Sequence, residues 1–94
     1  MEKGMKQFSY HWGSGYVAEE AQVTGPYHLP TLQLLKYTEG DATGSESIRF
    51  SHYSHSGQFQ RSPLMMSVEE IAMMRDALLT TPELRNFLKQ LVED

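Results

Sequence analysis

The chain has 94 residues, near the lower end of domain size, so residues 1–94 are read as a single domain around one core. With 39% hydrophobic and 21% charged residues the composition is that of a folded chain and excludes disorder. The lack of cysteine excludes disulfide frameworks, thiolate zinc sites and thiol nucleophiles, and a formal net charge of −4 argues against a uniformly basic, polyanion-binding surface.

No run approaches the ~20 apolar residues of a membrane span. The segment Met1 to Gln7 lacks the apolar stretch of a secretory signal, so the expectation is a cytoplasmic protein with no membrane partner. Residues 1–66 hold five basic and six acidic groups, and residues 67–94 hold three and six, so most of the acidity belongs to the carboxy-terminal segment.

In chain order, Ser14 to Val23 alternates as a strand and Thr24-Gly25-Pro26 closes it with turn chemistry. Thr31 to Thr38 places Leu32, Leu34 and Lys36 on one side and Gln33, Leu35 and Tyr37 on the other. Both sides are at least half apolar, which predicts a central strand. Glu39 to Ser45 carries two glycines and no large apolar group and reads as an exposed loop. A hairpin follows: Ser47 to Tyr53 alternates, Ser54-His55-Ser56-Gly57 turns, and Gln58 to Met66 returns, with Pro63 marking an edge or a bulge. Alternation puts Arg49, Ser51 and Tyr53 on one face and Ile48, Phe50 and His52 on the other, where a helix is expected to cover the more apolar set.

After Met66 the period changes to about 3.6. Ser67-Val68-Glu69-Glu70 fits a capping box, and Val68, Ile71, Met74 and Leu78 form one apolar stripe. Pro82 disfavours helical geometry at Thr81 and suits the first turn of a second helix, whose stripe is Leu84, Phe87, Leu88 and Leu91. The sheet is thus expected over about residues 7–66 and the helical segment over 67–94.

The residues offer little for catalysis. His52 and His55 are three apart, a poor spacing for shared metal ligation on a strand, and no Asp or Glu lies near them. No nucleophile elbow and no phosphate-cradling glycine loop is present. Neither an enzyme, a metal site nor a cofactor is expected. The 22 residues from Ser47 to Val68, by contrast, contain no acid and hold Arg49, Arg61, His52, His55, Phe50, Tyr53 and Phe59. Single-stranded nucleic acid takes such a mixture, because phosphates need cations and unpaired bases stack on flat rings.

The order of these features resembles the single-stranded-DNA-binding domain of the transcriptional coactivator positive cofactor four and, more widely, the Whirly and Pur domains. The resemblance covers about Leu32 to Leu79. It rests on Ile48-Arg49-Phe50, His52-Tyr53, Ser56-Gly57, Arg61, Leu64-Met65-Met66 and Ser67-Val68-Glu69-Glu70-Ile71, which stand in the family's order. Ser62 and Pro63 depart from it, standing where the family has a second basic residue and a glycine, and Thr81 to Asp94 extends past the family's single long helix.

The resemblance implies an α+β fold, a curved antiparallel sheet of about four strands followed by a carboxy-terminal helix or helix pair, assembled as a homodimer. It also implies a non-enzymatic module for single-stranded DNA or RNA, with Arg49 matching the family's strand arginine and Arg61 its basic patch. Lys36 is expected to join them at phosphates, with Tyr53, Phe59, Tyr37 and Trp12 stacking on bases. The alternative expectation is a structural or protein-interaction homodimer on the same scaffold, favoured by the negative charge and by Ser62 and Pro63.

Overall fold

The computed structural model describes residues 6–61 and 63–93, so expectations placed on Met1 to Met5, Ser62 and Asp94 lie outside the described residues. Within them the alternating segments form strands β1 (Gln7–Tyr10), β2 (Gly13–Gln22), β3 (Leu29–Glu39), β4 (Glu46–Tyr53) and β5 (Leu64–Ser67). They pair in chain order, each antiparallel to the next. The central place of β3 follows from its having apolar side chains on both faces. Two helices, α1 (Val68–Ala77) and α2 (Pro82–Lys89), complete an α+β fold whose sheet is a curled half-barrel.

The sheet has five strands rather than about four. The additional one is β1, whose four residues are too few for alternation to reveal. The return from the β4 turn is also shorter than Gln58 to Met66. Phe59 makes one isolated bridge to Tyr53, and regular pairing resumes only at Leu64, directly after Pro63, which has no N–H to give a ladder.

Register shifts in β2 between Ser14 and Gly15 and between Val17 and Glu19 increase the local twist and curl the sheet. At the first of these, a Cβ on Gly15 would lie inside the van der Waals envelope of the Lys36 carbonyl, so only glycine permits this approach of β2 to β3. The curl brings β1 across to β4, although the two strands are not neighbours in the ladder.

One face therefore turns inward. Its apolar half is Phe8, Val17, Leu35 and Tyr37, with the rings of Phe8 and Tyr37 edge to face at 5.0 Å. Its other half is polar: Thr31, Gln33 and Arg49 are buried beside Tyr53. The outer face carries Leu32, Leu34, Ile48 and Phe50, all half-buried.

The strand-to-helix junction forms as its residues dictate. The Ser67 hydroxyl accepts from the Glu70 amide at 3.1 Å, and the Glu70 carboxylate accepts from the Ser67 amide at 3.0 Å. A 3-10 turn at Leu78–Thr80 and Pro82 at the first turn of α2 produce the expected break.

The helices do not cover Ile48, Phe50 and His52 as the apolar pattern suggested. The strand that α1 lies against is β5, and no helical residue is buried. Ser67 ends β5 and caps α1 at once, which leaves no linker for the helix to fold back over the sheet. The radius of gyration is accordingly 14.7 Å, against about 12 Å for a compact chain of this length.

Gly15→Ala is expected to lower stability by about 2 kcal/mol or more, because the backbone of β3 has to move. At Gly44, where φ is +87° and no atom stands within 4 Å of an added Cβ, alanine should cost about 1 kcal/mol. Urea midpoints of the two variants check this ordering.

Candidate functional site within the curled sheet

The polar half of the inner face is organised by one amide. Gln33 is 1% exposed, and each of its hydrogen-bonding positions is used. Its Nε2 donates to Glu20 Oε1 at 2.8 Å and to the Tyr53 hydroxyl at 2.9 Å. Its Oε1 accepts from Arg49 Nε at 2.7 Å and from the Ser51 hydroxyl at 3.2 Å. Since Arg49 offers only donors, the oxygen must face it, and this fixes the orientation of the amide.

Arg49 extends from Gln33 across the curl, donating from Nη1 to the Tyr10 hydroxyl at 2.9 Å. The Phe59 ring covers the guanidinium at 4.6 Å from its carbon and stands edge to face with Tyr53 at 5.4 Å. Lys6 closes the network from the start of the described chain, with its Nζ 2.7 Å from Glu20 Oε1 and 4.2 Å from the centroid of the Tyr53 ring.

The Lys6 and Glu20 charges support one another. Burial works against ionisation of Glu20 but is outweighed by hydrogen bonds from Lys6 and Gln33 and by the charges of Lys6 and Arg49, which hold its carboxyl below the usual glutamate range. Burial likewise opposes the Lys6 charge, and the hydrogen bond and charge of Glu20, with the nearby Tyr53 hydroxyl, outweigh it, raising Lys6 above the ordinary lysine value.

Of the residues singled out from sequence, Arg49, Tyr53 and Phe59 are brought together here. The first two are 5% and 7% exposed and only Phe59, at 42%, is open to solvent. The expectation that Arg49 and Tyr53 present an open face is met by the reverse disposition: their face is the inward one, and the Ile48 and Phe50 face is outside.

Tyr37 lies on the same inner face but in the apolar half, its hydroxyl accepting from Trp12 Nε1 at 3.1 Å. Trp12 is partly exposed at the rim and stacks on Tyr10 with centroids 4.8 Å apart and planes 2° from parallel. Lys36 points to the opposite, outer face, where its register partner Glu46 takes it in an ion pair of 3.5 Å. Arg61 is exposed two residues beyond Phe59, with no ion pair among the described residues.

Lys6, Tyr10, Glu20 and Gln33 were not singled out from sequence. The one local signal was a glutamine at a buried-face position of a strand otherwise rich in leucine. Its pairing with Arg49 required the β3–β4 register.

The histidines do not converge on a shared centre. His52 lies beside His28, ring centroids 4.8 Å apart, while His55 Nε2 bonds the Gly25 carbonyl at 2.8 Å. Among the described residues no group of three His, Asp or Glu side chains is placed to hold a metal ion, and no helix is long and apolar enough to cross a membrane.

No protein-family model, curated protein or solved structure matches the chain significantly.

The Lys6–Glu20 link is expected to stabilise the fold fully above the ordinary glutamate pKa of about 4.3 and below the ordinary lysine pKa of about 10.4. The Glu20 part is lost as pH falls through its depressed folded value, and the Lys6 part as pH rises through its elevated one. The stability difference between wild type and Glu20→Gln, followed by urea unfolding from neutral to acid pH, should therefore shrink once the wild-type carboxyl is protonated. A difference independent of pH would show that the carboxylate charge contributes nothing.

Proposed function

We propose that the protein is a non-enzymatic interaction module that associates with a second copy of itself through its helical segment. The observation that carries this reading is that α1 and α2 bury no residue in the single chain. Ten large apolar side chains between Val68 and Val92 are 37% to 83% exposed. Together they offer an area on the order of the ~800 Å² per partner that a specific interface covers.

Between β5 and α1 a groove of about 380 Å³ is lined by Leu64, Met65, Met66, Met73 and Met74. Methionine suits such a groove because its unbranched, polarisable side chain adapts to an incoming surface. The Leu84, Phe87, Leu88 and Leu91 stripe of a second copy supplies a ridge of matching chemistry. A copy of the same chain satisfies both features at once, in the self-complementary manner of two-fold dimers.

Light scattering at micromolar concentration should give twice the chain mass. The double variant Phe87→Asp, Leu91→Asp should give the single-chain mass with the sheet intact by circular dichroism, since both side chains are exposed in the isolated chain. A wild-type monomer under these conditions overturns the reading.

Binding of single-stranded DNA or RNA is the second reading. It is favoured by the half-exposed Phe59 ring over Arg49, with Arg61 exposed two residues on. On this reading a labelled oligonucleotide binds at low salt, and Arg61→Gln weakens binding and reduces the salt slope by about one phosphate's worth. No binding at low salt removes it.

A further inference from the structure

Between the start of β1 and the β4 end of the curl opens a cleft of about 450 Å³ lined by Lys6, Phe8, Tyr10, Arg49, Tyr53 and Phe59. At its base lies a guanidinium that is 5% exposed and has no carboxylate within ion-pair distance among the described residues. Taking a cation out of water without a counter-charge is costly, and neutral hydrogen-bond partners recover only part of that cost. Arg49 has two such partners: Gln33 takes Nε–H and Tyr10 takes one N–H of Nη1. Among the described residues no hydrogen bond uses Nη2. A guanidinium carries five N–H groups, so the fork formed by the rest of Nη1 and by Nη2 is left to an acceptor.

We propose that this cleft binds a small organic monoanion, a carboxylate carried on a flat apolar body, with the carboxylate held by the Arg49 fork and the body lying among Phe8, Tyr53 and Phe59. The charge count sets the valence. Lys6 and Glu20 neutralise each other at 2.7 Å, so Arg49 alone supplies the site's net charge of one. A planar carboxylate matches the fork in a two-bond geometry that neither a spherical anion nor a neutral amide reproduces.

The shape of the cleft sets the body. Its volume lies within the range of small-molecule sites, and four of its lining side chains are aromatic. Phe59, half exposed and already over the guanidinium, forms the solvent-facing side of the cleft, whereas Phe8 and Tyr53 are buried. This inference stands apart from self-association, which uses the β5 and helix surfaces.

The test is a titration of the full chain with benzoate, followed by two-dimensional NMR that includes the Arg49 Nε–H signal. Benzamide serves as the uncharged isostere and inorganic phosphate as an anion without a ring. The expected result is saturable benzoate binding that shifts the Arg49 and Phe59 signals, with benzamide weaker for want of a charge and phosphate, which the fork also fits, weaker for want of a ring, each by about tenfold or more.

Phe59→Ala should weaken benzoate by about fivefold while the signals of the remaining sheet residues keep their folded dispersion, and Arg49→Lys, which keeps the charge but loses the fork, by about tenfold. Should Arg49→Lys fail to fold, the three-ligand comparison and Phe59→Ala decide the matter. Benzoate binding no better than benzamide, phosphate binding as well as benzoate, or shifts confined to residues outside the cleft would each overturn the proposal. So would an oligonucleotide that displaces benzoate and binds more tightly through the same signals, because the site would then belong to nucleic acid.

Discussion

The contact between the buried amide of Gln33 and the guanidinium of Arg49 is the constraint around which the sheet is arranged. A charged group inside a domain of this size is costly, the Gln33 and Tyr10 hydrogen bonds of Arg49 offset part of that cost, and the partners those two need extend the network outward. Gln33 can accept from Arg49 because its amino group is taken by Glu20 and Tyr53. Glu20 can stay ionised beside it because Lys6 reaches over from the start of β1. The curl of the sheet is thus tied to the chemistry of its inner face, since Lys6 and Tyr10 have to cross to the β4 side for the network to close. The β2 bulges and Gly15 supply the backbone shape that allows this crossing.

A second consequence is a division of labour between the two halves of the inner face. Phe8, Val17, Leu35 and Tyr37 form a small dry cluster that provides the hydrophobic part of the core. Leu35 is fully buried, but few other side chains are, and the outer face and both helices retain much apolar surface. For a chain of this size, burying so little apolar area leaves a narrow margin of stability, and partners that cover the remainder add to it by mass action.

Much of this architecture was legible in the sequence, because the relevant signals are local. Ser67 and Glu70 specify a capping box whatever surrounds them. Pro82 breaks the helical segment by its own covalent geometry, and alternation in Thr31 to Thr38 correctly separates Gln33, Leu35 and Tyr37 from Leu32, Leu34 and Lys36. What alternation does not encode is which face becomes concave. Both faces of β3 and β4 carry a similar share of apolar side chains, so hydrophobicity alone does not decide, and the choice is made by contacts such as Arg49 with Tyr10, 39 residues apart in the chain. For that reason Arg49 and Tyr53 were expected on an open surface and lie inside, while Lys36, grouped with them by charge, belongs to the other side of the sheet. The short strand β1 carries no such signal, because four residues are too few to show a pattern and its role is given by what it crosses.

The junction at Ser67 has a mechanical corollary. One residue serves as the final rung of the sheet, paired with Ser47, and as the cap of the first helix, so there is no swivel between the two bodies. Reorienting the helix requires breaking either that rung or the reciprocal cap. The rung lies next to the Arg49–Met65 pair, two residues along each strand. A load applied to the helical arm is therefore transmitted directly into the strand that carries the buried guanidinium, and the arm behaves as a lever whose fulcrum is the sheet edge.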